Sequence, residues 1–382
     1  MNQKLFSDVF FAGVDIGFGA TKDHFWHEDG FNETYIIPSI VAPGRDRMFA
    51  RLSTGGKDPY NPKTSAAKNQ LNFLDIDIQN LITGDTNSWF LGRLAIQEGK
   101  DQSYSWQDNK SNDAKSLALL VSQLAVAQTA RMNGQSSYCK FYVSTGLPIK
   151  HYRSYADAYE KNITGKWKVT FKSGVWAGIS CTLHIIGCRT YPQAYGIYND
   201  QMIDLDGTLI HPELLDDYVL VIDPGTRTTE YALFKDGVMQ DSYSDSIENG
   251  MSTALSLIQA KLKENGIIVK DYDIDLCFIE KDGLLTRNGV EVDLNPIRKA
   301  ALKEVASSIN DELKKELKDV WDLISRTVVG GGTGELLFDQ LNFPNKSLAT
   351  SAQYGNASGY LKLAKETAAT TLSELERQKG MS

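Results

Sequence analysis

The chain has 382 residues, 42% hydrophobic and 23% charged, and its 48 acidic against 40 basic side chains leave a formal net charge of −8. This is enough apolar chain for two core-bearing domains, and the acidic balance excludes broad electrostatic binding of nucleic acid. No apolar run of about 18 residues occurs and the N-terminus lacks a signal peptide's cationic start and cleavage site, so no membrane span is expected and the cytoplasm is the expected compartment.

The first element is VFFAGV (9–14), whose aromatic and β-branched residues predict a buried strand ending at Asp15. A small-residue turn follows in VDIGFGATK (14–22), carrying Gly17, Gly19, Ala20, Thr21 and Lys22. Next, KDHFWHEDGFNETYII (22–37) reads as strand, Asp29-Gly30 turn and strand. Asp-Gly between β-rich runs is a hairpin signal, because both central positions of a type I′ turn take positive φ. His24 and His27 lie on the strand and its turn, where they point to different faces, and are read as surface or hairpin residues rather than metal ligands. GRDRMFARLSTGGKDPYNPK (44–63) is a polar, turn-rich stretch inside a smaller insertion. Further on, the acidic stretch NDQMIDLDGTLIHPELLDD (199–217) reads as a surface loop.

The opening pattern then recurs in VLVIDPGTRTTE (219–230), where Asp223, Gly225 and Thr229 repeat Asp15, Gly17 and Thr21 as a second D-x-G-x-x-x-T. EYALFKDGVMQDSYS (230–244) follows with a hairpin turn at Asp236-Gly237. MSTALSLIQAKLKE (251–264) and LNPIRKAALKEVASSINDELKKELKDV (294–320) carry apolar residues at helical spacing. In ISRTVVGGGTGELLFDQL (324–341) a short strand runs into Gly330, Gly331, Gly332 and Gly334, with a helix expected from near Glu335. The four cysteines, Cys139, Cys181, Cys188 and Cys277, lack C-x-x-C spacing and lie on or beside apolar strands, so buried free thiols are expected rather than a zinc site.

Rossmann and Walker A loops both lead into a helix, and Walker A also needs G-x-x-x-x-G-K-[ST], which is absent. Two hairpin turns instead imply phosphate held in a nest of backbone N–H groups and small hydroxyls. Gly17, Gly19, Ala20, Thr21 and Lys22 would form one, and Gly225, Thr226, Thr228 and Thr229 the other. Carboxylates at the two strand ends, Asp15 and Asp223, suit a hydrated Mg²⁺, which takes oxygen ligands and keeps several waters. Lys22 supplies positive charge to phosphate oxygens. Gly330, Gly331, Gly332, Thr333 and Glu335 offer a nucleotide a flat glycine surface and a helix start.

Two phosphate hairpins followed by a late glycine-rich loop resemble the actin, heat-shock chaperone and sugar kinase superfamily. Within it the chain is similar to the bacterial plasmid-segregation actins of the ParM type. IIPSIVAP (36–43), WFLGRLAIQ (89–97), FYVSTGLPIKHY (141–152), YPQAYGIY (191–198), SDSIENGMSTALSLIQAKL (244–262) and AQYGNASGYLKL (352–363) extend the resemblance over nearly the whole chain. It implies an α/β actin-like fold of two duplicated ribonuclease-H-like domains around a nucleotide cleft. The first domain would span 1–190 with a small subdomain inserted at about 36–88. The second would span 191–358 with a helical subdomain at about 246–323, and a helix over 359–382 would return to the first domain.

The resemblance also implies ATP or GTP with Mg²⁺, self-association into filaments, and a separate DNA-binding adaptor protein at a plasmid site, with no direct nucleic-acid or membrane contact. It assigns Asp15, Asp223 and Gln193 to catalysis, with Gln193 orienting the attacking water. A neutral amide is a poor proton acceptor, so slow, assembly-stimulated hydrolysis is expected; the other reading of Gln193 is a helix cap near Pro192. Arg227 and Glu230 stand where the family usually has a second glycine and a later aspartate, and Arg227 reads as pointing to solvent rather than to phosphate. A small-molecule kinase is disfavoured by an amide at Gln193, and a chaperone by the short stretch after the glycine loop. A scaffold filament for shape or organelle positioning remains the other reading.

Overall fold

The structure is a computed structural model and describes residues 8–47, 73–100, 103–104, 113–215, 217–287 and 289–379. Most of the polar stretch 44–63, from 48 onward, lies outside these residues. Chain contacts divide the protein into a first unit, Met1–Ile210 with Asn356–Ser382, and a second, His211–Gly355.

The strands of the first unit are β1 (Val9–Ile16), β2 (Ala20–Trp26), β3 (Asn32–Pro38), β4 (Ile40–Pro43), β5 (Phe73–Asn80), β6 (Thr86–Gly92), β7 (Ser103–Tyr104), β8 (Ser137–Leu147), β9 (Gly165–Phe171) and β10 (Ser180–Pro192). They form one ten-stranded sheet in the order β3-β2-β1-β8-β10-β9-β5-β6-β4-β7. The β4, β5 and β6 strands of the expected insertion extend this sheet through the antiparallel β5–β9 pairing. The unit's helices are α1 (Arg93–Glu98), α2 (Ala114–Arg131), α3 (Ile149–Ile163), α4 (Tyr195–Met202) and α9 (Gly355–Lys379), the last beginning a few residues ahead of 359.

β1 is buried along its whole length because both its faces are covered. Phe10, Ala12, Val14 and Ile16 share a core with Leu120, Leu124 and Val126 of α2, whereas Val9 and Phe11 pack with Leu361 and Ala364 of α9. A strand covered on both faces reads as an unbroken apolar run rather than an alternating one. Asp113 starts α2 by accepting hydrogen bonds from the backbone N–H groups of Lys115 (3.1 Å) and Ser116 (3.2 Å). None of the helices among the described residues is long and apolar enough to cross a membrane.

The two Asp-Gly turns differ. Asp236 (φ 52°) and Gly237 (φ 74°) both take positive φ, as a type I′ turn requires. At the first turn only Gly30 (φ 96°) does so, and His27 N–H donates to Phe31 O at 2.9 Å. This is a three-residue loop closing on a left-handed glycine, and its tip is held by Arg131 Nε donating to Asp29 Oδ2 at 2.7 Å.

Both histidines lie on the hairpin, and both are bonded there rather than free at the surface. His27 is buried against Phe10, with ring centroids 5.6 Å apart, and its Nδ1 lies 3.0 Å from Asp29 Oδ1. His24 joins Ser358 of α9 (3.0 Å) to Asn32 of β3 (2.8 Å). No metal-binding cluster of His, Cys, Asp or Glu occurs among the described residues. All four cysteines are buried free thiols, and burial pushes Cys139 and Cys181 up to about 12.

The acidic stretch is only partly a surface loop. Its first four residues finish α4, where Lys362 Nζ lies 2.8 Å from Asp200 Oδ1 and also donates to Asp200 O at 2.7 Å. Residues 206–212 are exposed, and the boundary between the two units falls here, so that residues 191–210 belong with the first.

The second unit contains β11 (Val219–Pro224), β12 (Thr229–Lys235), β13 (Val238–Met239), β14 (Asp245–Ile247), β17 (Arg326–Val329) and β18 (Lys346–Leu348). Their order is β13-β12-β11-β17-β18, with β14 also paired to β12. Leu220, Ile222 and Leu233 of the sheet share one core with Ile258 of α5 (Met251–Glu264), Ile274 of α6 (Asp271–Glu280) and Ile309 of α7 (Asn295–Glu316). The expected helical insertion thus packs directly on the sheet. It also holds a hairpin that the sequence reading did not include, β15 (Leu284–Arg287) with β16 (Val290–Asp293), anchored by buried Leu285. After β17, α8 (Gly332–Leu337) starts three residues earlier than Glu335.

Candidate functional site

Each unit presents the same hairpin in the same register. Asp15 of β1 stands opposite Lys22 and Ile16 opposite Thr21; Asp223 of β11 stands opposite Glu230 and Pro224 opposite Thr229. Both aspartates are nearly buried, at 4% and 7% exposure. A Cβ on Gly17 would come within 2.7 Å of Ala20 O, and one on Gly225 within 2.9 Å of Thr228 O, so both loops double back tightly enough to require glycine.

Around Asp15 three expected site residues meet. Lys22 Nζ lies 3.6 Å from Asp15 Oδ2, and Gln193 Nε2 donates to Asp15 Oδ1 at 3.0 Å. Gln193 follows β10 in the turn before α4, where its own N–H donates to Leu147 O at 2.8 Å. Its side chain does not cap α4, whose start has no side-chain cap. An amide that donates to Asp15 leaves its carbonyl oxygen as an acceptor for a water molecule.

The hydroxyls of the repeated threonines brace their own loops. Ser39 Oγ donates to Gly17 O at 2.7 Å, so the Thr21 hydroxyl, 2.9 Å from Ser39 Oγ, is the donor in that pair. Thr229 Oγ1 donates to Asn249 O at 2.7 Å. Both threonines are fully buried, and in each unit the hydroxyl ties the loop to the next segment of chain. Glu230 is also buried, where Ser246 Oγ donates to its carboxylate across the β12–β14 pairing. Arg227 lies 3.4 Å from Glu248, with about a third of its side chain exposed, so it is paired rather than wholly in solvent.

The third loop packs against Asp223. A Cβ on Gly331 (φ 76°) would fall 2.1 Å from Asp223 Oδ1, and one on Gly334 would lie 3.3 Å from Pro224 Cδ. Gly330 N–H donates to Ile222 O and Gly331 N–H to Ala352 O, so neither amide is left for a ligand. Gly332, by contrast, is open: a Cβ there would meet only Gln353 Cγ, 4.0 Å away. Thr333 is buried and Glu335 exposed at the start of α8.

Sequence reasoning missed Asp23. It is fully buried on the α2-facing side of β2, opposite Val14 and Tyr35, and neither of its oxygens has a hydrogen-bond partner among the described residues. Burial, and then the charge of Asp15, hold its carboxyl well above the usual range, while Gln123 of α2 acts in the opposite direction. The signal was present in the two-residue alternation of Thr21, Asp23 and Phe25, which puts all three on one face of the strand.

Residues 13–196 match a family model of the N-terminal domain of actin-like proteins, and residues 221–343 match one of the archaeal actin homologue MreB-like C-terminal domain. No curated protein matches the chain in sequence. Among solved structures, a 15-stranded ParM filament from Clostridium botulinum superposes with a TM-score of 0.74 at 20% identity, over 94% of this chain and 99% of that one. Bacillus thuringiensis ParM with ATP gives 0.68 at 16% identity, over 96% of this chain and 100% of that one. The archaeal actin homologue Ta0583 gives 0.67 at 19% identity, over 94% and 99%. At such identities the structural likeness is one of fold, and it agrees with the two family matches, which lie on either side of the acidic stretch: the chain belongs to the actin-like proteins.

Proposed function

We propose that this chain is an actin-like ATPase that assembles into nucleotide-dependent filaments, and that the filaments segregate DNA, most directly a plasmid. The observation that carries the reading is the duplicated hairpin ending in a nearly buried aspartate, together with the Gln193 amide placed 3.0 Å from Asp15. Likeness in fold to a ParM filament and to a ParM with ATP supports it.

In this reading Asp15 orients Gln193 through the amide N–H, and Gln193 turns its carbonyl oxygen to the water that attacks the terminal phosphate. Lys22 supplies positive charge to phosphate oxygens. The backbones of Gly17, Gly19 and Ala20 and of Gly225, Thr226 and Thr228 cradle the phosphates, while Thr21 and Thr229 hold the loops in shape. Gly332, Thr333 and Glu335 remain for the nucleoside, and Gly330 and Gly331 support Asp223.

Asp15 and Asp223 fit Mg²⁺ by donor chemistry: hard carboxylate oxygens, few in number, leaving ligand positions for water and phosphate. When bound, the ion neutralises phosphate charge and acts as a Lewis acid toward the transferring phosphoryl group. GTP in place of ATP is compatible with the same cradle. With a net charge of −8 the chain needs a separate basic adaptor to hold DNA, and we place it in the cytoplasm.

Pelleting of the purified protein with Mg-ATP, Mg-GTP or no nucleotide, alongside Asp15→Ala, tests the reading. Nucleotide-dependent pelleting that Asp15→Ala abolishes is expected. Pelleting to the same extent without nucleotide sinks the coupling and favours a passive scaffold.

A further inference from the structure

Gln193 lies in the turn between β10 and α4, where its backbone N–H is held by Leu147 O. Its neighbour Ala194 sits in the left-handed region (φ 69°, ψ −29°), which disfavours any residue with a Cβ, and no side chain caps the helix that follows. Yet the amide must point at Asp15. The rings that flank the turn, Tyr191 and Tyr195, stack on each other with centroids 5.7 Å apart and planes within 4°. Tyr360 of α9 continues the stack onto Tyr191 at 6.2 Å and 14°.

The position of α9 is itself set by close contacts with the elements that carry the site. A Cβ on Gly13 of β1 would lie 1.9 Å from Ala357 O, one on Gly146 of β8 1.9 Å from the Tyr360 hydroxyl, and one on Gly359 1.8 Å from Gly196 O in α4. These glycines have no positive φ, so they are required for space rather than for backbone conformation. The helix lies directly on the backbone of the strand that ends in Asp15 and of the helix that follows Gln193.

We infer that the Tyr195–Tyr191–Tyr360 stack positions Gln193, clamping its turn to the C-terminal helix so that the amide meets Asp15. The three tyrosines are positioning residues, since none of them is assigned a contact with the nucleotide. The inference rests on the proposed role of Gln193 in hydrolysis. Pure packing would make loss of a ring lower stability and leave the chemistry of the surviving fold alone. Positioning makes it slow turnover without weakening nucleotide binding.

The test measures phosphate release with excess Mg-ATP, nucleotide affinity and thermal melting for Gln193→Ala, Tyr195→Leu, Tyr360→Phe and the double variant Gln193→Ala/Tyr195→Leu. Tyr195 is only partly buried, so its replacement spares the core, and Tyr360→Phe keeps the ring. Tyr195→Leu should slow turnover on the order of 10- to 100-fold, the usual cost of a small misplacement of a catalytic group, with nucleotide affinity unchanged. Tyr360→Phe should retain turnover, and the double variant should be no slower than Gln193→Ala alone, because the stack acts only through that amide. Full turnover in Tyr195→Leu, or a loss that adds to that of Gln193→Ala, overturns the inference while leaving the role of Gln193 intact. Full turnover in Gln193→Ala overturns both.

Discussion

Replacing Asp23 with asparagine should stabilise the protein at neutral pH, and the gain should vanish in acid. The carboxyl is fully buried between β2 and α2, opposite Val14 and facing Gln123, whose amide atoms also lack partners among the described residues. Burial raises this carboxyl well above the usual carboxylate range, and the charge of Asp15 adds to the effect. Because the folded pKa lies above the unfolded one, the folded chain retains a proton that the unfolded chain releases. Stability from this group is therefore fully present below the unfolded value of about 3.9 and is lost as pH rises toward the folded pKa, by about 1.4 kcal/mol per pH unit. Asparagine keeps the shape and has no proton to lose. The advantage of Asp23→Asn should therefore grow as pH rises from the unfolded value toward the folded pKa, and level off above it. Urea unfolding of both proteins across pH 4 to 8, followed by tryptophan fluorescence, gives the difference at each pH. Parallel stability profiles across that range would refute the reasoning, because they would mean that Asp23 titrates alike in the folded and unfolded chains.

Two further substitutions test separate parts of the structure. Gly13→Ala puts a Cβ 1.9 Å from Ala357 O and 2.4 Å from Leu361 N, both backbone atoms of α9, so a melting experiment should show a loss of at least about 1–3 kcal/mol, the range for overpacking. Thr21→Val removes the donor to Ser39 and should cost about 1 kcal/mol in stability while leaving nucleotide affinity unchanged; a large loss of affinity with no loss of stability would return Thr21 to the phosphate site.

Much of the fold was legible where one residue type has one structural use. The repeated D-x-G-x-x-x-T identified two hairpins because strand pairing puts each aspartate opposite the residue seven positions on, Asp15 with Lys22 and Asp223 with Glu230. The unbroken apolar run of β1 identified a strand covered on both sides. What a side chain bonds to was less legible. The threonines of the motif look alike in sequence as ligands or braces, and the bonds from their hydroxyls to Ser39 and to Asn249 O become visible only in the fold. Likewise His27 reads as polar until the ring of Phe10 packs against it. At the first turn, Asp29-Gly30 carries the same dipeptide as the second, but the loop closes one residue earlier, at His27, and Asp29 keeps negative φ. The β15–β16 hairpin carries an Asn288-Gly289 signal of the kind used elsewhere, set in a stretch dominated by helical periodicity.

The most direct test of the central claim is light scattering of the purified protein after addition of Mg-ATP, with phosphate release followed in the same sample and Asp223→Ala as control. The account expects a lag, a rise and a plateau above a critical concentration, with phosphate release that follows assembly, and neither signal in the variant. Phosphate turnover without scattering at any protein concentration would contradict it and point instead to a small-molecule kinase or a simple hydrolase built on the same fold.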